Sequence, residues 1–281
     1  MKLRSLLLAT SCFFAGAVNA ESFSLPIWKE EAEALGYELP KAFGLNLSYM
    51  SMEQGIDVES IALKGLKIPG LKLGMEAEPG KQVTDVMTLR ADVWLFPFLN
   101  LYGLVGKLDG YSETDVNVSA KLGFIGPFTG KIENFRLDLD GEIKGAGFVL
   151  AGGHEQWFGL VDASYTQTEL TVVDGSIDAI VVSPRVGYDF HRNGVPLRLW
   201  VGAMYQSVEQ ELSGSIVDLG LPPALSGLLS DDARFEVKQS LTSEWNTLVG
   251  MQYEINKDWY LLGEMGFGER ESLFFSIDRR F

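Results

Sequence analysis

The chain has few of the residues on which disulfide, metal and nucleophilic chemistry usually depend. Its 281 residues include one cysteine, Cys12, and two histidines, His154 and His191. Cys12 lies in an N-terminal stretch that we expect to be removed, which leaves no thiol for a disulfide. There is no G-x-S-x-G, H-E-x-x-H or phosphate-binding glycine motif, and both histidines are expected in short turns. We therefore expect no enzyme, cofactor or metal site; a hydrolase that uses inward-facing carboxylates is the remaining enzymatic alternative.

Basic residues are also scarce. Lysine and arginine number 23 against 38 aspartates and glutamates, so the formal net charge is −15. Loss of Lys2 and Arg4 with the N-terminal stretch leaves 21 basic residues and a net charge of −17. Nucleic acid is excluded as an expected partner, because binding it requires a basic surface.

Long hydrophobic runs are confined to the N-terminus. Residues 1–20 have the pattern of a secretory signal peptide, with Lys2 and Arg4, an apolar run to Val18 and a small-residue cleavage site ending at Ala20. After residue 20 there is no run of 18 apolar residues, which excludes a spanning helix. An exported chain that is 46% hydrophobic can still cross a membrane as a closed β-barrel.

From residue 43 onward, apolar and polar residues alternate with the period of a β-strand. We predict an all-β, up-and-down antiparallel transmembrane barrel in residues 43–281, after a periplasmic segment at 21–42. That segment contains a short helix, at about 26–36, which either lies on the barrel mouth or plugs the lumen. The ten predicted strands lie at about 43–49, 87–95, 99–105, 143–152, 156–168, 178–190, 196–208, 242–254, 258–267 and 272–281. Two further runs, 116–124 and 135–139, would make twelve strands if they crossed the membrane.

The connections between these strands alternate in length. The short ones are at 96–99, 152–155, 191–195 and 255–258. Between them lie long segments at roughly 55–81, 109–142 and 209–241 and shorter ones at 169–177 and 268–271. Outer-membrane barrels have short periplasmic turns and longer extracellular loops. An even number of strands then places both termini in the periplasm. The apolar loop 219–229 is expected outside, as a cap, a lid or a partner contact.

Aromatic residues recur at a fixed spacing on the face that we expect to meet lipid. Members of each pair are eight residues apart, which spans roughly 20 Å along the membrane normal in a tilted strand. The predicted aromatic girdle consists of Trp157 with Tyr165, Trp245 with Tyr253, and Trp259 with Phe267.

The opposite faces of the strands carry charges of both signs. The predicted lumen-facing residues are Arg90, Asp92, Asp162, Arg185, Arg198, Glu244, Glu264, Asp278 and Arg280. In a narrow barrel such side chains pair across the lumen and fill it. They could also line a path for ions or small solutes, or include a catalytic acid–base pair.

The last strand carries a family resemblance. Phe275, Ile277 and Phe281 alternate with polar residues, and the chain ends in an aromatic side chain. This ending resembles the C-terminal strand of Gram-negative outer-membrane β-barrels, where it is an assembly signal. Arg279 departs from that pattern, in which an apolar residue is usual. The resemblance implies location in the outer membrane and contact with its lipids, lipopolysaccharide and the barrel assembly machinery.

Two non-enzymatic functions follow as hypotheses. The first is a barrel with a largely plugged lumen that acts through its extracellular loops, by adhesion, partner binding or envelope support. The second is a narrow channel for small or hydrophobic solutes. The sequence does not identify an extracellular ligand or a solute.

Overall fold

The computed structural model describes residues 24–68, 70–122, 125–171, 174–215 and 229–281. The expected signal peptide and the apolar loop, up to residue 228, lie outside these ranges. The elements are α1 Lys29–Ala34, β1 Phe43–Leu66, β2 Leu71–Ala77, β3 Gly80–Phe96, β4 Leu99–Leu122, β5 Ile125–Asp138, β6 Gly141–His154, β7 Trp157–Leu170, β8 Asp174–Asp189, a 3-10 turn His191–Asn193, β9 Leu197–Ser215, β10 Leu229–Leu241, β11 Trp245–Asn256, β12 Trp259–Phe267 and β13 Arg270–Arg280.

Ten strands pair in a closed antiparallel circuit. Its order is β1, β3, β4, β6, β7, β8, β9, β11, β12 and β13. The last strand, β13, returns to β1 in continuous register from Gly44↔Arg280 to Gln54↔Arg270. The predicted antiparallel barrel of ten strands is confirmed, with its short turns together at one end, called the turn end below.

Three strands branch from the circuit at the opposite end, so the sheet is not a plain cylinder. The head, as we call this extension, consists of β2, β5 and β10 with the outer parts of β1, β4 and β9 (residues 56–66, 111–122 and 208–215). Among the described residues β5 pairs only with β4, so the described parts of the two runs that could have made twelve strands, 116–122 and 135–139, belong to the head.

The circuit narrows where the head begins. On the way from the turn end, β9 pairs first with β11 and then with β10, while β1 pairs first with β13 and then with β10. Strand β10 therefore takes the place of β11, β12 and β13, and the pairing continues with eight strands. An eight-strand barrel has an interior that its own side chains just fill.

The two faces of the strands differ in polarity, and the difference reverses in the head. Every strand of the ten-strand circuit exposes large apolar residues on its outer face, for example Leu47, Val201 and Phe275. In the head, apolar side chains point inward instead and pack between two layers, β2–β4–β5 and β9–β10–β1. The buried members of this core are Val116, Val118, Phe135, Leu137, Leu139, Leu212, Ala233, Phe235 and Val237.

The N-terminal segment lies on the turn end of the barrel. The Ile27 N–H donates to the Leu95 carbonyl at 2.9 Å, and the Trp28 ring packs on Phe96 with centroids 4.9 Å apart. Within α1 only Ala32 is buried, so the helix lies on the mouth rather than in the lumen. In the described part of the chain, no helix has the length and apolar character needed to cross a membrane.

Candidate functional site in the lumen

The inner face of the ten-strand circuit is a connected set of polar side chains. The positions alternate with the outward apolar residues, so the strand period alone directs them inward. Their contacts reach across intervening strands, which is possible only through the lumen. Three groups can be distinguished between the turn end and the head.

The first group lies at the turn end and is partly open to water. The Arg198 Nε–H donates to Asp189 Oδ2 at 2.7 Å, and the Arg198 Nη1–H donates to Gln252 Oε1 at 3.0 Å. The His191 ring lies between two carboxylates, with Nδ1 against Asp189 and Nε2 at 3.0 Å from Glu254 Oε2. These side chains are between a fifth and a third exposed, so water reaches this end of the lumen.

The second group braces the barrel near mid-height along two chords. Arg185 on β8 donates twice to Glu264 on β12, at 2.6 and 2.8 Å, and Trp200 Nε1 donates to the same carboxylate at 2.7 Å. The Tyr102 hydroxyl on β4 donates to Asp162 on β7 at 2.5 Å. Bidentate and charge-assisted bonds of this kind are the strong ones, and each chord spans strands that are not neighbours.

Arg90 and Asp92, both on β3, connect these chords to the C-terminal strand. Arg280 Nη1 donates to Asp92 Oδ1 at 2.6 Å, and its Nη2 donates to Asp278 Oδ2 at 3.0 Å. The Arg90 guanidinium lies 3.6 Å from the centre of the Tyr102 ring and has Nη1 at 3.6 Å from Asp162 Oδ2. Asn100 on β4 also donates to Asp92 Oδ1, at 2.5 Å, so the Asp92 carboxylate is held by both β13 and β4.

The third group is a buried cluster of amides where the circuit narrows. Gln54 and Gln210 both donate to Gln82 Oε1, at 3.1 and 3.3 Å, and Gln239 donates to Gln210. These four side chains are 2–5% exposed and come from four consecutive strands of the eight-strand circuit, β3, β1, β10 and β9. The contact between Gln82 and Gln210 crosses the interior of the circuit at this level.

Eight of the nine predicted lumen residues have the inward position that the alternation assigned to them. Glu244 does not, and the prediction for it is wrong. It lies in the exposed turn before β11 and accepts a hydrogen bond from Tyr205 on the outer face at 3.2 Å. Strand β11 begins only at Trp245, so the alternation does not extend back to Glu244.

The glutamine cluster was missed in the sequence. Gln54, Gln82, Gln210 and Gln239 lie in or beside segments predicted as long loops, because the outward positions there carry charge rather than apolar side chains. The usable signal was the alternation itself, since Gln210 and Leu212 continue the inward positions of β9 and alternate with the outward residues Glu209 and Glu211.

The predicted girdle residues are on the outer face. Five of the six are 44–60% exposed, and Trp259 is half-buried. The Arg279 guanidinium carbon lies 5.2 Å from the Trp259 ring centre and 4.8 Å from that of Phe281. Arg279 thus places its charge among aromatic rings at the turn end, which explains how the C-terminal strand accommodates it.

The surface of the head is charged where the barrel is apolar. Lys131 bridges Asp115 at 2.8 Å and Glu78 at 3.1 Å, and the hydrogen bonds from Lys131 and from the Asn134 N–H lower the pKa of Asp115. Exposed pairs of this kind contribute little to stability. Their value here is solubility, because they surround the head with water-binding groups.

Searches for relatives of the chain found similarity among solved structures only. No family model and no curated protein matches the sequence. The outer membrane protein OprG from Pseudomonas aeruginosa is 11% identical, with 87% of this chain and 98% of that chain covered and a TM-score of 0.40. An outer membrane channel from Pseudomonas putida F1 is 12% identical, with 87% and 97% covered and a TM-score of 0.36. The Pseudomonas putida toluene transporter TodX is 11% identical, with 85% and 88% covered and a TM-score of 0.30. These similarities place the chain in no specific family.

Proposed function

We propose that the chain spans the outer membrane with its ten-strand circuit, the head outside and the turn end and both termini in the periplasm. The support is the continuous outer belt of exposed apolar residues, since soluble monomers rarely expose patches of that size. The girdle aromatics border this belt, as in known barrels. Lipids and lipopolysaccharide would contact the belt, and the barrel assembly machinery would act on the C-terminal strand.

Deletion of Phe281 is expected to impair assembly into the outer membrane. The Phe281 N–H donates to the Phe43 carbonyl at 2.9 Å, so the deletion removes an aromatic residue and a bond at the seam between β13 and β1. The measurement is the membrane-inserted fraction and its resistance to added protease, with Phe128→Ala on the exposed face of the head as control. A truncated chain that folds as a soluble protein would contradict the proposed location.

Within the barrel, we propose a gated, non-enzymatic passage for small solutes. The observation that carries this proposal is the lumen itself, which is polar, partly exposed to water at the turn end and crossed by side-chain contacts at mid-height. Buried ion pairs are no more stabilising than apolar packing of the same volume, so stability alone does not account for a polar lumen.

Tyr102 is the most suitable side chain for a test of this passage. Its side chain covers Gly147, where an added Cβ would lie 2.5 Å from both Tyr102 Cζ and the hydroxyl oxygen, and this hydroxyl completes the chord to Asp162. Tyr102→Ala is expected to raise single-channel conductance in planar bilayers severalfold above that of the wild-type protein. Tyr102→Phe is the matched control, because it keeps the ring and removes only the hydroxyl; its conductance should stay near wild type.

A second candidate is a permanently closed barrel that acts through its head, by adhesion, partner binding or envelope support. The observation that favours it is the apolar core of the head, which makes the extension a folded layer rather than a set of loops. If folded wild-type protein and both Tyr102 variants are all silent in bilayers, the passage is rejected and this candidate stands.

A further inference from the structure

Arg270 differs from the other inward arginines of the barrel. It is the first residue of β13, where the short strands β11, β12 and β13 end below the head. Its side chain is 1% exposed. The Nε–H donates to Gln54 Oε1 at 2.9 Å and Nη2 donates to the Ser243 carbonyl at 3.1 Å, while Nη1 has no hydrogen-bond partner.

No described carboxylate forms an ion pair with this guanidinium. Arg185 and Arg280 are also inward and largely buried, yet each has a carboxylate oxygen at 2.6 Å. Both partners of Arg270 are neutral oxygens. A buried charge without a counter-charge is strongly unfavourable, and the guanidinium cannot lose its proton. The neighbouring Glu269 and Glu271 are exposed on the surface, so neither serves as the counter-ion.

A second buried polar side chain at the same end of the lumen lacks partners. Asn246 on β11 is 4% exposed, and both its amide nitrogen and its amide oxygen are unpaired. A Cβ added at Gly266 would lie 2.5 Å from Asn246 Nδ2 and 2.3 Å from Ser272 Oγ, which places these two groups together. Ser272 is the next inward residue after Arg270 on β13, so the free donors belong to one region.

We propose that Arg270 and Asn246, with Ser272, form a binding site for a small oxyanion, a carboxylate or a phosphate. A guanidinium presents planar N–H donors that match the oxygens of these anions, and a buried anion would neutralise the Arg270 charge. The Asn246 amide and the Ser272 hydroxyl supply neutral donors beside it. Only the further step, that the anion is a transported solute, rests on the proposed function.

The test is anion-dependent stability of the refolded full-length protein. Urea unfolding is followed with sodium acetate or sodium phosphate against sodium chloride at equal ionic strength. A ligand that binds only the folded state raises the unfolding midpoint. We expect a rise with at least one oxyanion for wild-type protein and for Arg192→Gln, an exposed arginine at the turn end. Arg270→Gln should show no rise, and Asn246→Ala a smaller one. The two anions distinguish a carboxylate site from a phosphate site.

Two results would overturn the site: no rise for wild-type protein with either oxyanion, or an equal rise in Arg270→Gln. If Arg270→Gln does not fold, a full-sized rise in Asn246→Ala overturns the role of its amide. Failure of the passage is a separate outcome, since a barrel that binds the anion and is silent in bilayers retains the site. A barrel that conducts without binding either anion retains the passage and loses the site.

Discussion

Glu264→Gln is expected to destabilise the barrel by about 3–5 kcal/mol, the usual cost of removing one partner from a buried ion pair. Glu264 is 6% exposed and accepts three hydrogen bonds, two from Arg185 and one from Trp200. The amide keeps the shape of the carboxylate but leaves the Arg185 charge without a counter-ion. The measurement is the free energy of unfolding in urea, with the protein folded into phospholipid vesicles.

The double variant Arg185→Met/Glu264→Met separates two contributions to the free energy of unfolding: the cost of a buried Arg185 charge without a counter-ion, and the stabilisation that the intact ion pair provides. Replacement of a buried pair by apolar side chains of similar volume is often neutral. We therefore expect the double variant to recover most of the lost stability. Glu271→Gln, an exposed carboxylate on β13, should change stability by less than about 0.5 kcal/mol. A double variant as unstable as Glu264→Gln would show that packing, rather than charge, dominates here.

Phe235→Ala is expected to open the head while the membrane-spanning strands remain folded. The Phe235 side chain is fully buried, and its ring packs against Gly214, where an added Cβ would lie 2.7 Å from Phe235 Cε1. Truncation of a buried phenylalanine typically costs about 3–5 kcal/mol. The measurement is limited proteolysis with hydrogen exchange, in which cleavage and rapid exchange should appear in β2, β5 and β10.

Phe128→Ala provides the matched control for this prediction. Phe128 belongs to the same head, on β5, but is 65% exposed, so its truncation leaves no cavity. We expect its protease resistance to equal that of the wild-type protein. Equal sensitivity of the two variants would mean that the head has no cooperative apolar core. Loss of the whole barrel in Phe235→Ala would mean that the head and barrel unfold as one unit.

The strands of the ten-strand circuit could be located in the sequence because lipid and water impose opposite demands on the two faces. In the ten-strand circuit this gives alternation with apolar residues outside. In the head the same alternation has the opposite sense, since Val116 and Val118 face a protein core and Asn117 faces water. The period of a strand is identical in both cases, and only the pairing partner decides which face is buried. This is why the runs at 116–124 and 135–139 left ten and twelve strands open.

The candidate site could be predicted only in part, for a related reason. Charged residues such as Arg185 and Glu264 are conspicuous at inward positions, but their pairing requires knowledge of which strands face each other. Gln82 and Gln210 are 128 residues apart and carry no charge, so nothing local distinguishes them from surface glutamines. Arg270 is unusual because no described carboxylate pairs with it. This can be recognised only in the three-dimensional structure, once the positions of its neighbours are known.

The double role of β1 has a consequence for folding. The strand closes the chain into a ring twice, with β10 from Ile56↔Leu241 onward and with β13 up to Gly44↔Arg280. These closures differ little in chain length, so the entropy of ring closure favours the shorter one by only about 0.2 kcal/mol. The order of the two events is therefore decided by the contacts made at each seam. A folding intermediate with β10 paired to β1 and β9, and with β11, β12 and β13 still unpaired, would already have a formed head. Its ten-strand circuit would still be open toward the lipid.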